Sequence, residues 1–312
     1  MTHISNYQLA VIIPIYNAEQ YLSNTLDCIL QEEMENLHFY LVNDGSSDNS
    51  QSICNSYAEC FPNITVISQD NAGPSAARNA ALAKVKEEYV TFLDADDEIE
   101  PRTYRRNLEW LMAHPDTGIL FFPIKKVHFD CSSTQDVNYD TEIILSMNNA
   151  FEKWCSGDKS ITGYFGGKIF RSELFYGLTI KEDMRFAEDM FVLSDILSKA
   201  KNICLSPFGN YLYFERTNAA TQTPWTKSKA SDMGLAYFHR WEIANRLQIS
   251  DSSIINSWRL ALAEISAERR RFPDILNTEF QELKLNKPTL GKFLKMGYSI
   301  KRIAGIIWNL WQ

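Results

Sequence analysis

At 312 residues, 45% of them apolar, the chain has enough material for one large core or for a main domain with a helical appendage, which excludes a disordered or fibrous protein. Lysine and arginine total 31 against 39 aspartates and glutamates, and the net charge of −8 argues against a nucleic-acid backbone as the main partner. No stretch reaches the roughly 18 apolar residues of a spanning helix, and Leu9-Ala-Val-Ile-Ile13 before Pro14 is too short for a signal-peptide core, so a cytoplasmic protein is expected.

From Leu9 to Phe129 short apolar runs alternate with longer helix-period stretches, the pattern of a βαβ series. Strands are predicted at 9–15, 38–43, 64–68, 89–93 and 118–127, and helices at about 20–32, 48–60, 75–85 and 101–113. Asn17, Asp48, Ser75 and Pro101 stand near the helix starts. Successive parallel strands need helical crossovers, so a mostly parallel sheet flanked by helices follows. After Asp130 come a polar stretch at 130–142, a helix at about 146–156 and the Gly-rich Gly163-Tyr-Phe-Gly-Gly-Lys168. Helix 188–200 and strand 210–216 lead to the breaker cluster 217–224, and 226–248, 251–270, 273–285 and 289–311 read as helix.

In an open α/β sheet the site lies outside the carboxyl ends of the strands. Three polar clusters fall at such ends: Pro14-Ile-Tyr-Asn17, Asn43-Asp-Gly-Ser-Ser-Asp48 and Asp94-Ala-Asp-Asp97. Any one of them alone reads equally as turn or helix-cap chemistry. Three carboxylates at 94–97 repel one another unless a cation joins them, and hard oxygens suit Mg²⁺ or Mn²⁺ bound to a diphosphate. Asn71-Ala-Gly73-Pro-Ser-Ala-Ala-Arg78-Asn79 puts small residues and an arginine at a helix start, which favours an anion; a simple cap with a surface arginine is the alternative.

Pro14-Ile-Tyr-Asn17, Val42-Asn-Asp44-Gly-Ser-Ser-Asp48, Gly73-Pro-Ser-Ala-Ala-Arg-Asn79 and Phe92-Leu-Asp94-Ala-Asp-Asp97 together resemble, in order and spacing, the family 2 glycosyltransferases with the GT-A fold. The resemblance is specific over residues 8–130 and thinner to about 220. It implies an inverting, nucleotide-sugar-dependent enzyme on a Rossmann-like sheet. Asp44 would bind the nucleoside base, flanked by Pro14, Tyr16 and Asn17 with Gly45 beside it. Arg78 would lie near the nucleotide, Asp94 and Ala95 by the ribose or sugar, and Asp96 would ligate Mn²⁺ or Mg²⁺. Asn43 departs from the family's more usual first aspartate, keeping an acceptor but losing charge.

Arg185-Phe-Ala-Glu188-Asp189-Met-Phe191 looks like the family's Glu-Asp motif. Inverting transfer needs a base for the acceptor hydroxyl; Asp189 is the first choice and Glu188 the second. An acidic first helical turn explains the same residues through the helix dipole alone. Gly166-Gly-Lys168-Ile-Phe-Arg171 resembles the segment approaching sugar and acceptor, although a bulge would use the glycines equally well. Arg216, before the 217–224 loop, would balance leaving-group charge. The Gln-x-x-Arg-Trp motif of processive members is absent; Arg240-Trp241 reads as helix packing, and transfer of a single sugar is expected.

These readings divide the chain into a catalytic domain at 1–225, with a donor half at 8–130 and an acceptor half at 131–225, and a helical extension at 226–312. The six cysteines form no CxxC pair and no zinc spacing, so free buried thiols in a reducing compartment are expected. Residues 283–312 hold six bases and no acid, on a body with 25 bases against 39 acids. In the last helix Phe293, Met296, Ile300, Ile303 and Ile307 form an apolar stripe beside Lys292, Lys295, Lys301 and Arg302, closed by Trp308 and Trp311. Such a helix either lies in an anionic membrane surface, which would favour a lipid-linked acceptor, or docks on the protein's own body. Two other functions compete: a nucleotidyltransferase, which lacks its Gly-rich basic loop after the first strand, and an inactive nucleotide-binding or membrane scaffold, which would not need Arg78, Asp96 and Asp189 together.

Overall fold

The computed structural model describes residues 8–32, 36–216 and 223–296, with Ser299, Ile303 and Ile306. It divides into two compact units.

The first unit comprises the chain to Ser146 with segments 164–183 and 199–222. It opens with β1 (Leu9–Ile15), α1 (Leu22–Leu30), β2 (Leu37–Asp44), α2 (Ser50–Cys60), β3 (Ile64–Gln69), α3 (Pro74–Leu82) and β4 (Tyr89–Phe92). Then follow β5 (Glu98–Ile99), α4 (Thr103–Ala113), β6 (Thr117–Phe121), β7 (Ile124–Val127), β8 (Ser133–Val137) and β9 (Ile143–Ser146). Past α5 (Met147–Ser156), which belongs to the second unit, the first resumes with β10 (Lys168–Arg171); past α6 (Glu188–Lys199) it ends with β11 (Asn202–Leu205) and β12 (Tyr211–Phe214).

The main sheet runs β3-β2-β1-β4-β10-β6-β11-β9. β3, β2, β1 and β4 are mutually parallel, and β10 runs antiparallel between β4 and β6. β11 is parallel to β6, and β9 closes the edge antiparallel to it. β1 is central and covered on both faces, which is why Leu9 to Ile13 are all fully buried and its sequence is continuously apolar rather than alternating.

The run 118–127 is not one strand. It breaks at Phe122-Pro123, where proline has no N–H for a ladder, and β7 passes into a second sheet ordered β5-β12-β7-β8. The Phe122 N–H donates to the Gly167 carbonyl and the Tyr211 N–H to the Pro123 carbonyl, so the break is bonded on both sides. The two sheets meet again at Asp97, which is 1% exposed: Tyr211 Oη donates to Asp97 Oδ2 at 2.7 Å and the Phe214 N–H to Oδ1 at 2.9 Å.

The second unit comprises 147–163, 184–198 and 223 onward. It holds α5 and α6 with α7 (Lys227–Arg246), α8 (Asp251–Arg271), α9 (Asn277–Leu285) and α10 (Leu290–Lys295). The boundary expected at 225 therefore does not coincide with the packing, because α5 and most of α6 group with the C-terminal helices. Trp241, Trp258, Leu262, Ile265 and Phe280 form its core, and Phe293 and Ile303, each 2% exposed, enter that core with Met296 and Ile306 against it. The part of the terminal stripe that is described thus docks on the protein's own helices. Ile300, Lys301, Arg302, Ile307, Trp308 and Trp311 lie outside the described residues, as do 217–222 of the predicted loop. Arg240-Trp241 is helix packing as read, with the Arg240 guanidinium 5.1 Å over the Trp154 ring.

All six cysteines are free, but Cys60 and Cys131 are exposed and Cys28 half-buried, so burial is general only for Cys54, Cys155 and Cys204. Among the described residues no helix is long and apolar enough to cross a membrane.

Tyr211→Phe removes the hydroxyl donor from a buried carboxyl without changing the ring. It is expected to cost about 1–3 kcal/mol of stability, measured by urea unfolding.

Candidate functional site

The carboxyl ends of β1 and β2 are adjacent in the sheet, and the turns beyond them are laced together. Asn17 adopts φ 50°, a region asparagine tolerates better than most residues. In that conformation its Oδ1 accepts the Ser47 N–H at 2.8 Å while its own N–H donates to Ser46 Oγ at 3.0 Å. The Glu19 N–H donates to Asp48 Oδ2 and the Asn49 N–H to Glu19 Oε2, at 3.0 and 2.9 Å. Pro14 is half-buried beneath this lattice, and Tyr16 stands 55% exposed beside it, an open aromatic face at the strand end.

Asp44 ends β2 and is 3% exposed. Its Oδ1 accepts from Gln69 Nε2 and the Ala72 N–H, both at 2.8 Å, and its Oδ2 accepts the Gly73 N–H at 2.7 Å. Three of a carboxylate's roughly four lone-pair positions are therefore spent on the turn between β3 and α3, which leaves about one for any ligand. Asp44 is first of all the anchor of that turn, a role its expected assignment to the base did not include. Gly45 sits at φ 69° with the Asn71 backbone against it; a Cβ there would come within 2.7 Å of the Asn71 nitrogen. Asn43 turns away from the cleft, its Nδ2 donating to Gln51 Oε1 at 2.7 Å.

The anchored turn starts α3 with Pro74, and small residues Ser75, Ala76 and Ala77 bring the helix close to the sheet. Arg78 follows, 7% exposed, its Nη2 donating to Asp94 Oδ1 at 3.1 Å and its guanidinium 5.5 Å over the Phe165 ring. A buried guanidinium beside a carboxylate whose side chain is 51% exposed makes a fixed positive wall at the open end of β4.

The three carboxylates at 94–97 divide. Asp94 and Asp96 are half-buried and reach the open edge, whereas Asp97 turns inward to Tyr211 and Phe214, so it is a joint of the fold and not a third ligand. Tyr211 Oη also accepts the Asp94 N–H at 3.3 Å, and Thr25 Oγ1 donates to the Ala95 carbonyl at 2.9 Å, fixing the backbone between the two open carboxylates. Burial, then the charge of Asp94, holds the Asp96 carboxyl above its ordinary range, with Arg216 opposing. Asp97 is raised well above its own by burial and by both neighbours. Arg216 lies with Nη2 2.9 Å from the Asp96 carbonyl and Nε 4.0 Å from its carboxylate, its guanidinium 4.1 Å over the Tyr21 ring.

Among the described residues no group of three or more His, Cys, Asp and Glu side chains is arranged to hold a metal ion. Asp94 and Asp96 are two hard oxygen donors whose mutual repulsion a cation would relieve, so the pair fits a divalent ion that takes its other ligands from phosphate and water.

The glycines at 166 and 167 serve packing: a Cβ on Gly166 would meet the Tyr211 ring at 3.1 Å, and one on Gly167 the Ile124 side chain at 2.7 Å. Lys168 is fully buried, its Nζ donating to the Tyr164 and Gly166 carbonyls and so shaping the segment before β10. Arg171 pairs with Glu88 at 2.7 Å and Tyr89 Oη at 3.1 Å, at the amino end of β4 and away from the carboxyl edge. The sequence singles out 211–216 only as a strand leading to Arg216; the contacts of Tyr211 with Asp94 and Asp97, of Thr25 with Ala95 and of Tyr21 with Arg216 carry no sequence signal.

In the second unit Glu188 and Asp189 occupy the first turn of α6, Glu188 buried and Asp189 half-buried. Ala187 before them has φ 56°, an uncommon and strained conformation for alanine that costs on the order of 1 kcal/mol. The turn is pinned to α7: the Arg185 N–H donates to Asp232 Oδ2 at 3.0 Å, and the Phe191 ring stacks on His239 at 4.0 Å.

Comparison with known proteins shows the family. The family model described as glycosyl transferase family 2 matches residues 10–175. A minor teichoic acid biosynthesis protein, GgaA, of Bacillus subtilis is 30% identical over 220 residues, 66% of this chain and 47% of its own. A poly(ribitol-phosphate) beta-glucosyltransferase of Bacillus spizizenii is 27% identical over 216 residues, 66% of this chain and 32% of its own. The matched regions thus span about half and about a third of those relatives. The crystal structure of S. aureus TarS 1–349 in complex with UDP-GlcNAc superposes with a TM-score of 0.65 at 19% identity, covering 94% of this chain and 93% of that one, which establishes a shared fold.

Asp44→Ala orphans the Ala72 and Gly73 N–H groups and is expected to lower stability by roughly 3 kcal/mol. Hydrogen exchange at Ala72 to Ser75 is expected to accelerate in the same variant, which separates release of this turn from general unfolding.

Proposed function

Because the chain belongs to glycosyl transferase family 2, we propose that it moves a single sugar from a nucleoside-diphosphate sugar to a hydroxyl of a glycan or lipid-linked acceptor, with inversion. The observation that carries this reading is the convergence, at one edge of the sheet, of a buried arginine, two open carboxylates and an exposed aromatic face, each fixed by hydrogen bonds behind it. Tyr16 offers the nucleoside a stacking surface, flanked by Pro14, Asn17, Gly45 and the remaining lone pair of Asp44. Arg78 and Arg216 face the diphosphate as forks of N–H donors, and Asp94 and Ala95 lie toward ribose and sugar. Family members generally use a divalent cation. Here Asp96, with Asp94 beside it, would hold Mn²⁺ or Mg²⁺, which when bound neutralises diphosphate charge.

In the transfer the acceptor oxygen bonds to the anomeric carbon as the bond from that carbon to the diphosphate oxygen breaks. The hydroxyl proton goes to a carboxylate, and the nucleoside diphosphate leaves with the electron pair. Asp189 is assigned the proton, with Glu188 as second choice, on the strength of the motif at 185–191 and the strained Ala187 that precedes both acids. The names of the two Bacillus relatives, one in teichoic acid biosynthesis and one a poly(ribitol-phosphate) beta-glucosyltransferase, support an acceptor of the cell-surface polymer class, and the second name supports a polyol-phosphate chain.

Asp96→Ala is expected to abolish Mn²⁺-dependent binding of UDP in calorimetry; unchanged affinity would place the ion elsewhere. Since protons compete for the raised Asp96 carboxyl, wild-type affinity for Mn²⁺ with UDP should weaken from about pH 7 to about pH 5 more steeply than affinity for UDP alone. Asp189→Asn is expected to keep donor binding and to lose transfer by at least about a hundredfold, and near-wild-type turnover would move the base to another residue.

A further inference from the structure

We propose that the open hollow in front of the first turn of α4 binds phosphate groups of the acceptor chain, remote from the point of transfer. This rests on the polyol-phosphate reading of the acceptor given above. The hollow has a volume of about 630 Å³ and is lined by Arg102, Arg105 and Arg106, with Glu100, Glu109 and Gly209 around them.

Its charge runs against the helix it sits on. Arg102, Arg105 and Arg106 fall at the cap and first turn of α4, with no acid there, where the dipole already carries positive partial charge. Arg102 and Arg106 are also one turn apart, the spacing at which like charges repel along a helix. The turn's own N–H groups are taken: Glu32, 1% exposed, accepts from the Thr103 and Arg105 N–H groups, both at 3.0 Å. A ligand in the hollow would therefore meet side chains rather than the helix end.

The two acids of the rim are matched within the protein. Glu100 pairs with Lys125 and accepts from Asn210 Nδ2 at 2.7 Å, and Glu109 pairs with Arg105 at 3.2 Å. Among the described residues, no acid pairs with Arg102 or Arg106, the other two cations of the hollow. The Arg106 guanidinium lies 4.3 Å over the Phe208 ring on an otherwise exposed side chain, and the in-plane N–H fork of a guanidinium suits phosphate oxygens in pairs.

Distance separates this hollow from the donor's phosphates. Gly209 precedes β12 and Arg216 follows it, and the four residues of the strand between them alone span roughly 13 Å at about 3.3 Å per residue. One diphosphate cannot occupy both places. A chain with repeating phosphates can engage Arg102 and Arg106 while a distal hydroxyl is at the transfer point, and such remote contacts lend binding energy to the reacting end.

The test compares the wild type with the double variant Arg102→Ala/Arg106→Ala, both side chains being exposed and outside the donor site. Sugar-free poly(ribitol phosphate), inorganic phosphate and UDP are titrated separately at fixed low salt. The polymer is expected to bind the wild type and to bind the double variant at least about tenfold more weakly, with UDP affinity and melting temperature unchanged. Equal polymer affinity in the two proteins, no polymer binding by the wild type, or inorganic phosphate bound as well as the polymer would each overturn the proposal. Turnover of UDP-sugars is scored independently: its absence in the wild type would contradict the transferase reading, whereas arginine-dependent polymer binding would still uphold this site.

Discussion

Asp97 is a carboxyl group at the end of a parallel strand with almost no contact with water, and its surroundings are arranged around that fact. Desolvation and the charges of Asp94 and Asp96 oppose its ionisation, and the Tyr211 hydroxyl and Phe214 N–H supply the donors that make its burial tolerable. Because those donors come from β12, the second sheet is held against the end of β4. From the same strand end the chain continues to Arg216, whose guanidinium reaches back to the Asp96 carbonyl. Tyr211 in turn packs on Gly166 and accepts from the Asp94 N–H. One inward carboxyl thereby sets the positions of the two outward ones, and the cleft's charge pattern depends on it.

Asp44 plays the corresponding part at the ends of β1 and β2. Its carboxylate gathers Gln69, Ala72 and Gly73, and the turn so formed starts α3 at the place that delivers Arg78 to Asp94. The lattice from Asn17 to Ser47 then holds the first two strand ends in register. The donor site proposed above would use turns whose backbone is bonded before any ligand arrives, which limits the ordering that binding must impose.

Much of this was legible in the sequence because parallel central strands are continuous apolar runs and their ends are polar. β1 to β4, with the helices between them, fall within a few residues of where the periodicity puts them. The short strands escaped. β5 has two residues, β9 carries an apolar run at an exposed edge, β10 follows a Gly-rich turn, and β11 is four residues after a helix, so none has a period long enough to read. The break at Pro123 was visible as a residue and invisible as a change of sheet. Burial decided what pattern could not: Asp94, Asp96 and Asp97 are alike as letters, yet only two face outward. The stripe at Phe293, Met296 and Ile303 is the same case, since an apolar face has one appearance in sequence whether its cover is lipid or the protein's own helices. The motif at 185–191 was legible as acid at a helix start, and the left-handed conformation of Ala187 within it was not.

In the site proposed above, Asp94 and Asp96, held outward by the burial of Asp97, would form with Arg78 and Arg216 the seat of a metal-bound nucleoside diphosphate. A crystal structure of the protein with Mn²⁺ and UDP, with the metal located by its anomalous scattering, tests it most directly. One manganese peak is expected on Asp96, with both phosphates against Arg78 and Arg216 and Asp97 still bonded to Tyr211. A peak on other residues, or a nucleotide seated away from the ends of β1, β2 and β4, would contradict it.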